Sequence, residues 1–374
     1  MKTPIVRRAR GILILAQMHS LHLMFRRAIL VSGDRSGTGY GANHEVVQTL
    51  LDKARVDGWT RASSFELTGR SKSDEKALSH EVELSGASLL HFTNQYDAHA
   101  VPREDLEVPV VVSVHDLYDM NPRAIDAGDV PVLLGDRQPS GSKAKLVSSC
   151  KDGMARADLL ICASLRTLEE ARSMFPGTPS ELVRDSIDHD FWDPNRNLRN
   201  REILGDAGDE DKFLLVSVGE KDPRWRSQFV SEIVSMLPEE VREDLLLFRI
   251  GSGRVDWEKV AASFQHAEAV LYPGVSVGFR SPPLEAMASG CPVLASDLPM
   301  HDEVLPARCL LPAAEPDRWV SAILEIHADW VRSGGVPRHP DDELIAIAEA
   351  SFGRSAHGTS LSKAYQIALE SVES

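Results

Sequence analysis

The sequence predicts an α/β protein built from two successive units. Three observations carry this. Short apolar runs of strand length alternate along the chain with segments of helical spacing. Two of these runs, 28–32 and 213–218, each begin a strand, loop and helix, one in each half. The 374 residues, 43% of them hydrophobic, are enough for about two cores.

The first 25 residues stand apart. Gly11 to Phe25 is moderately apolar between arginine clusters but contains Gln17, His19, Ser20 and His22. It is too short to span a bilayer and makes a poor signal peptide. A membrane-surface anchor and a true start at Met24 are both compatible with it. Ala28 to Ser32 then reads as a first buried strand. It enters a loop with Gly37, Gly39 and Gly41, and Asn43 to Val56 follows as a helix with Val46, Val47, Leu50 and Leu51 on one face. Strand, glycine loop and helix form a phosphate-cradle arrangement. Gly37-x-Gly39-x-x-Ala42 also fits a loose dinucleotide fingerprint, so an NAD(P)-dependent oxidoreductase is an alternative. The acid such a site needs about twenty residues on is not clearly placed.

Further strands are expected at 62–67, 89–92 and 108–114. The last runs into His115-Asp116, at the strand end where α/β proteins bind ligands. A structural hydrogen bond is the other use of such a histidine. Residues 119–149 are polar and rich in Pro and Gly, and read as a long, partly ordered excursion. A strand at 159–163 and a helix at 165–174 follow. Asp188-x-Asp190 has the form of a metal-binding pair, but no further ligand set accompanies it; it reads as linker, and no metal is expected. The charged stretch 195–212 is a plausible domain boundary.

The second unit opens with a strand at 213–218. Its loop carries Gly219, Lys221, Arg224 and Arg226, cations suited to a phosphate or to surface salt bridges. A helix at 227–237 and a strand at 245–250 come next. Residues 270–297 then read as strand, loop, helix, strand. Gly274 and Gly278 allow close backbone approach, Ser281 can cap a helix, and Gly290 can end it. Glu285 falls in the first turn of that helix. It is either a surface acid matched to the helix dipole or a group beside a ligand. Amphipathic helices at 318–331, 344–350 and 356–369 complete the chain.

Net charge is −15, which disfavours non-specific nucleic-acid binding and charge-driven attachment to anionic membranes. At most a peripheral membrane contact is expected. The four cysteines, at 150, 162, 291 and 309, have no CxxC spacing. They read as free, mostly buried thiols of a cytoplasmic protein.

Taken together, Gly278-Phe279, Pro282, Glu285-Ala286, Gly290 and Pro292-Val293 resemble the signature of the retaining family 4 glycosyltransferases of group 1. The glycine loop, His115-Asp116, the Ile187 to Pro194 linker and Gly219 to Arg224 are weaker matches. The resemblance covers about residues 26–370. It implies the GT-B fold, two Rossmann-like domains facing a central cleft. The domains would be 26–194 on the acceptor side and 195–350 on the nucleotide-sugar side, with 351–374 a final helix crossing back and 1–25 an extension.

The resemblance further implies transfer of a hexosyl group, with retention, from a nucleoside diphosphate sugar to a saccharide, lipid-linked or small-molecule acceptor. No separate cofactor is implied. His115, Arg224 and Glu285 would be catalytic, with Glu285 on the ribose and Arg224 neutralising the departing diphosphate. Gly39, Gly41, Gly219, Lys221, Arg226, Gly278, Phe279, Arg280, Ser281 and Leu284 would contact the donor. Asp116 would lie on the acceptor side. Three positions depart from the family pattern. Val277 stands where the first of two glutamates belongs, Arg280 where a glycine belongs, and Trp225 where a lysine follows the arginine. Either another arginine takes over the lost charge, or the protein is a catalytically degenerate sugar-nucleotide binder.

Overall fold

The computed structural model describes residues 25–33, 41–69, 71–104, 106–121, 139–196, 201–208, 212–219, 223–251, 256–275, 282–336 and 338–373. The extension before residue 25 and parts of the loops at 34–40, 220–222 and 276–281 lie outside them.

The first sheet is built in chain order from β1 (Arg26–Ser32), helix α1 (Gly41–Asp52), β2 (Trp59–Glu66), α2 (Ser71–Ser85), β3 (Leu89–Phe92) and β4 (Val110–Val114). Then come α3 (Gly141–Arg156), β5 (Leu159–Cys162), α4 (Leu165–Met174) and β6 (Ser180–Leu182). All strands run parallel in the order β2-β1-β3-β4-β5-β6. Parallel neighbours need a crossover, and here most crossovers are helices, so both faces are covered. This explains why β3, β4 and β5 are buried along their whole length instead of alternating. The strand order reverses between β1 and β3, so their C-terminal ends flank a crevice.

Short α5 (His189–Trp192) and a 3-10 segment at Arg201–Gly208 lead to the second sheet. Its elements are β7 (Phe213–Val218), α6 (Ser227–Met236), α7 (Glu239–Asp244), β8 (Leu245–Ile250), α8 (Trp257–His266) and β9 (Ala269–Tyr272). They continue with α9 (Pro282–Ala288), β10 (Val293–Ser296), α10 (Pro299–Asp302), β11 (Leu310–Leu311) and α11 (Pro316–Arg332). The order is β11-β10-β9-β7-β8, again all parallel. Here the reversal falls between β7 and β9. It brings the loops after Val218 and after Tyr272 side by side, and these are the loops the sequence singles out. Gly290 does end the helical turn after α9: it adopts φ 62°, and Cys291 N–H donates to the Ala286 carbonyl at 2.8 Å.

After α12 (Asp342–Phe352), α13 (Arg354–Glu373) returns to the first sheet. Leu361, Ala364, Tyr365 and Ala368 pack with Val47, Leu50, Leu51 and Trp59. Gly358 makes the approach possible: a Cβ there would lie 2.3 Å from the Arg55 carbonyl oxygen. The two crossings between sheets are tied together. Ile187 N–H donates to the Phe352 carbonyl at 2.9 Å, and Arg354 pairs with Asp188 at 2.7 Å. Asp188 also caps α5, so the Asp188-x-Asp190 pair does structural work at the crossing.

The structure differs from the sequence reading in several places. The C-terminal part of the excursion at 119–149 is the start of a long helix, α3. Its lysines and serines hid the Val147, Cys150, Met154 stripe that packs inward. Strand β6, three residues with a glutamate in the middle, and helix α8 were not expected either. All four cysteines are free and buried. Among the described residues no helix is long and apolar enough to cross a membrane.

Candidate functional site

On the second-domain side the site begins at Gly219, directly after β7. Its φ of 91° is one that side chains disfavour, and its N–H donates to the Ile250 carbonyl at 2.8 Å. A Cβ here would lie 2.1 Å from Trp225 Cγ, so the glycine is required by the indole packed against it. That packing shows what Trp225 does. It stacks edge-on to Tyr272, ring centroids 5.7 Å apart, and joins the apolar core.

Arg224 and Arg226 flank Trp225 in a 3-10 turn, Pro223–Trp225, and have different surroundings. The Arg226 guanidinium stacks 4.0 Å from the Phe229 ring centroid and reaches the Pro273 carbonyl at 3.4 Å. Burial lowers its pKa from the ordinary arginine value. Its backbone is left-handed, φ 52°, a strain that the surrounding packing must hold. The Arg224 guanidinium instead lies over the ring of Tyr118, 4.1 Å from its centroid, in the first domain. The Arg224 carbonyl accepts from Val275 N–H at 2.7 Å, which fastens this turn to the loop after β9.

Glu285 lies in the first turn of α9, partly exposed. Tyr272, fully buried at the end of β9, has a pKa well above the ordinary phenol value. Burial is the main cause, the Glu285 carboxylate adds to it, and Arg224 opposes it. Arg224, Glu285 and Tyr272 therefore share one electrostatic neighbourhood at the C-terminal ends of β7 and β9. Leu284 is part of the hydrophobic core, with Ala286 and Met287. His301 closes the floor behind Tyr272, ring centroids 5.3 Å apart, with Nδ1 2.6 Å from the Ser296 carbonyl oxygen. Burial lowers its pKa from 6.5, so it stays neutral. Lys221, Gly278, Phe279, Arg280 and Ser281 lie outside the described residues, as does Gly39; Gly41 opens α1.

On the first-domain side, His115 is buried with both ring nitrogens engaged. Nε2 lies 3.0 Å from the Thr93 carbonyl oxygen, which can only accept, so Nε2 carries a hydrogen. Nδ1 lies 3.1 Å from Asp185 Oδ2. Behind it is a cavity of about 10 Å³, room for one water, also lined by Ser113, Asp185 and His357. Asp116 accepts the Tyr118 N–H at 3.1 Å, so His115 and Asp116 together shape the turn that presents Tyr118.

The domains also touch beside the cleft. The Glu303 carboxylate, 5% exposed, accepts the Leu165 N–H at 2.9 Å and pairs with Arg184 at 3.0 Å. Sequence reasoning missed Tyr118, Tyr272 and Glu303. Tyr272 looked like the end of an apolar run, and the contacts of the other two are long-range.

Residues 207–329 match the family model described as glycosyl transferases group 1. The O-antigen chain mannosyltransferase RfbU of Salmonella typhimurium is 38% identical over 138 residues. That match takes in 36% of this chain, and the chain spans about a third (35%) of the relative's length. Among solved structures, sucrose-phosphate synthase from Thermosynechococcus elongatus superposes with a TM-score of 0.63 at 16% identity, covering 91% of this chain and 98% of that one. Anabaena HepE in complex with UDP-glucose gives a TM-score of 0.59 at 11% identity, with 91% and 98% covered. With two parallel sheets and solved structures matched over nine-tenths of its length, the chain has the GT-B architecture, and its residues 207–329 are similar to the group 1 glycosyl transferases.

Proposed function

We propose that this protein transfers a hexosyl group from a nucleoside diphosphate sugar to a saccharide, lipid-linked or small-molecule acceptor, with retention of configuration. One observation carries the reading. Arg224 and Glu285, which both act on the Tyr272 phenol, follow the two strands at the order reversal of the second sheet, where α/β proteins bind nucleotides. Likeness to a UDP-glucose complex and to a mannosyltransferase supports a nucleotide-sugar donor. We assign residues 26–194 to the acceptor side, 195–350 to the donor side and 351–374 to the returning helix.

In this reading Arg224 neutralises charge as the diphosphate departs. Glu285 accepts hydrogen bonds from the ribose. Gly219, whose missing Cβ makes room for the Trp225 indole, lets the turn carrying Arg224 fold back beside the strand end. His115 is a positioning residue, because its nitrogens hold Thr93 and Asp185 and so set the Asp116-Tyr118 turn. Arg226 supports the 273–275 loop through Pro273 instead of meeting the ligand. Four buried thiols suit a reducing compartment, so we place the protein in the cytoplasm.

A second reading, a non-catalytic sugar-nucleotide binder, has its own observation: Trp225 replaces a cation with an indole buried against Gly219 and Tyr272. A panel of nucleotide sugars separates the two. Turnover releases nucleoside diphosphate, and Arg224→Ala should lower kcat/KM by about 10²–10³. Saturable binding without release under any acceptor supports the binder. Absence of binding to every member of the panel refutes both.

A further inference from the structure

Two tyrosine hydroxyls at this site are buried and have no hydrogen-bond partner: Tyr118 of the first domain and Tyr272 of the second. Tyr272 is 0% exposed. Buried phenols ordinarily find a partner, because water has been given up and nothing else repays its loss. Both tyrosine rings border one turn, Pro223–Trp225, which carries Arg224. The Tyr118 ring lies under the Arg224 guanidinium at 4.1 Å. The phenol carbon of Tyr272 and the Arg224 carbonyl oxygen both lie 3.5 Å from the place a Cβ on Gly274 would take. The turn that carries Arg224 is therefore bordered on each side by a tyrosine whose hydroxyl is unsatisfied, one from each sheet.

Neither tyrosine is explained by packing alone. A phenylalanine would fill the same space at either position and leave no polar atom buried. Nor is either hydroxyl satisfied by the acids nearby: Asp116 is bound to the Tyr118 backbone N–H, and Asp119 accepts from Tyr96 and Lys143. A hydroxyl that is costly in the unliganded protein is useful where a ligand completes it. Beside an arginine, the ligand such donors fit is an anion with several acceptor oxygens. A diphosphate bridging the two domains has them.

We propose that Tyr118 and Tyr272 are ligand-binding residues of the donor site, each donating its hydroxyl hydrogen to a diphosphate oxygen held by Arg224. The proposal rests on the nucleotide-sugar reading above and deepens it. It gives the cleft a second source of donors, so the lysine replaced by Trp225 is offset by neutral hydroxyls. It also makes donor binding depend on both domains, since Tyr118 comes from the acceptor side. No bond to hydrogen is broken: both phenols stay protonated and act only as donors.

The test is the pair Tyr118→Phe and Tyr272→Phe, singly and together, with UDP, GDP and ADP as probes. Each variant keeps its ring, so the stacking on Arg224 and the contacts with Trp225 and His301 remain. The unliganded variants should melt at the wild-type temperature or above, because an unsatisfied hydroxyl has been removed. Affinity for whichever nucleotide the wild type binds should fall about tenfold per hydroxyl, the size of a hydrogen bond to a charged group. Inorganic pyrophosphate should compete with the nucleotide for wild type and less well for the double variant. Unchanged nucleotide affinity in both variants overturns the proposal while leaving the nucleotide-sugar reading intact. A clear fall in melting temperature without ligand also overturns it, since the hydroxyls would then have protein partners. Failure of the wild type to bind any nucleotide overturns the reading and the proposal together.

Discussion

Acidification should loosen the first domain through His91. This residue is 0% exposed in the middle of β3. Its Nδ1 lies 2.7 Å from the Tyr365 hydroxyl on α13 and its Nε2 2.8 Å from Ser113 Oγ on β4. Burial, with smaller contributions from His44, His357 and His115, lowers its pKa from 6.5 to about 3. The unfolded chain therefore takes up a proton that the folded chain refuses. The penalty is absent above pH 6.5, grows as the pH falls towards 3, and is constant below that. The unfolded state gains about 2 kcal/mol at pH 5 and about 3.3 kcal/mol at pH 4. Urea unfolding at pH 7, 6, 5 and 4, followed by far-UV circular dichroism, measures this in the wild type and in His91→Asn. The variant loses the titrating group, so the difference between the two pH profiles isolates His91. The wild type should lose about 2 kcal/mol more than the variant between pH 7 and 5. Parallel profiles would refute the argument and place a charged or solvated histidine at this position.

Other consequences can be checked alongside it. Gly219→Ala should abolish donor binding and lower the melting temperature, because its Cβ would lie 2.1 Å from Trp225 Cγ; adding Trp225→Ala should recover part of the stability. Glu303→Ala should cost about 2–3 kcal/mol in urea unfolding, the low side for a broken buried pair because Arg184 is one-third exposed. The thiols should resist labelling in the folded protein: burial pushes Cys150 and Cys162 up to about 12 and raises Cys291 and Cys309 too. A thiol-reactive dye at pH 8 should count none until denaturant is added, and rapid native labelling of any one would contradict its burial.

Much of the fold was legible in the chain. The strands at 89–92, 213–218 and 245–250 and the helix at 165–174 stand where the apolar runs and spacing place them. Runs of four to six residues that are apolar but for His91, Ser217 and Arg249 are too short for a helix and fit the strands of a parallel sheet. Helix α3 and strand β6 were hidden for the converse reason. Their polar content is high, and what keeps them is contact with distant segments.

The candidate site divides in the same way. Arg224 and Glu285 were visible because loops after buried strands carried glycines and charges in a family pattern. Tyr118 and Tyr272 were not, since a tyrosine in a polar loop and one ending an apolar run carry no local sign of an unmet hydrogen bond. His115 was visible as a strand-end histidine, but its partners, Thr93 and Asp185, are 22 and 70 residues away.

By itself the sequence determined the alternation of strand and helix, the glycine positions that turns and close contacts require, and the loops that hold charge. Those depend on neighbours within a few residues, where sterics and hydrophobic spacing act. Only the tertiary structure decided the order of the strands, and with it which loops became neighbours. It turned Trp225 inward against Gly219 and Tyr272, and it set Arg224 over a tyrosine from the other domain. Such pairings are won by burial shared between distant segments, and no local pattern records them.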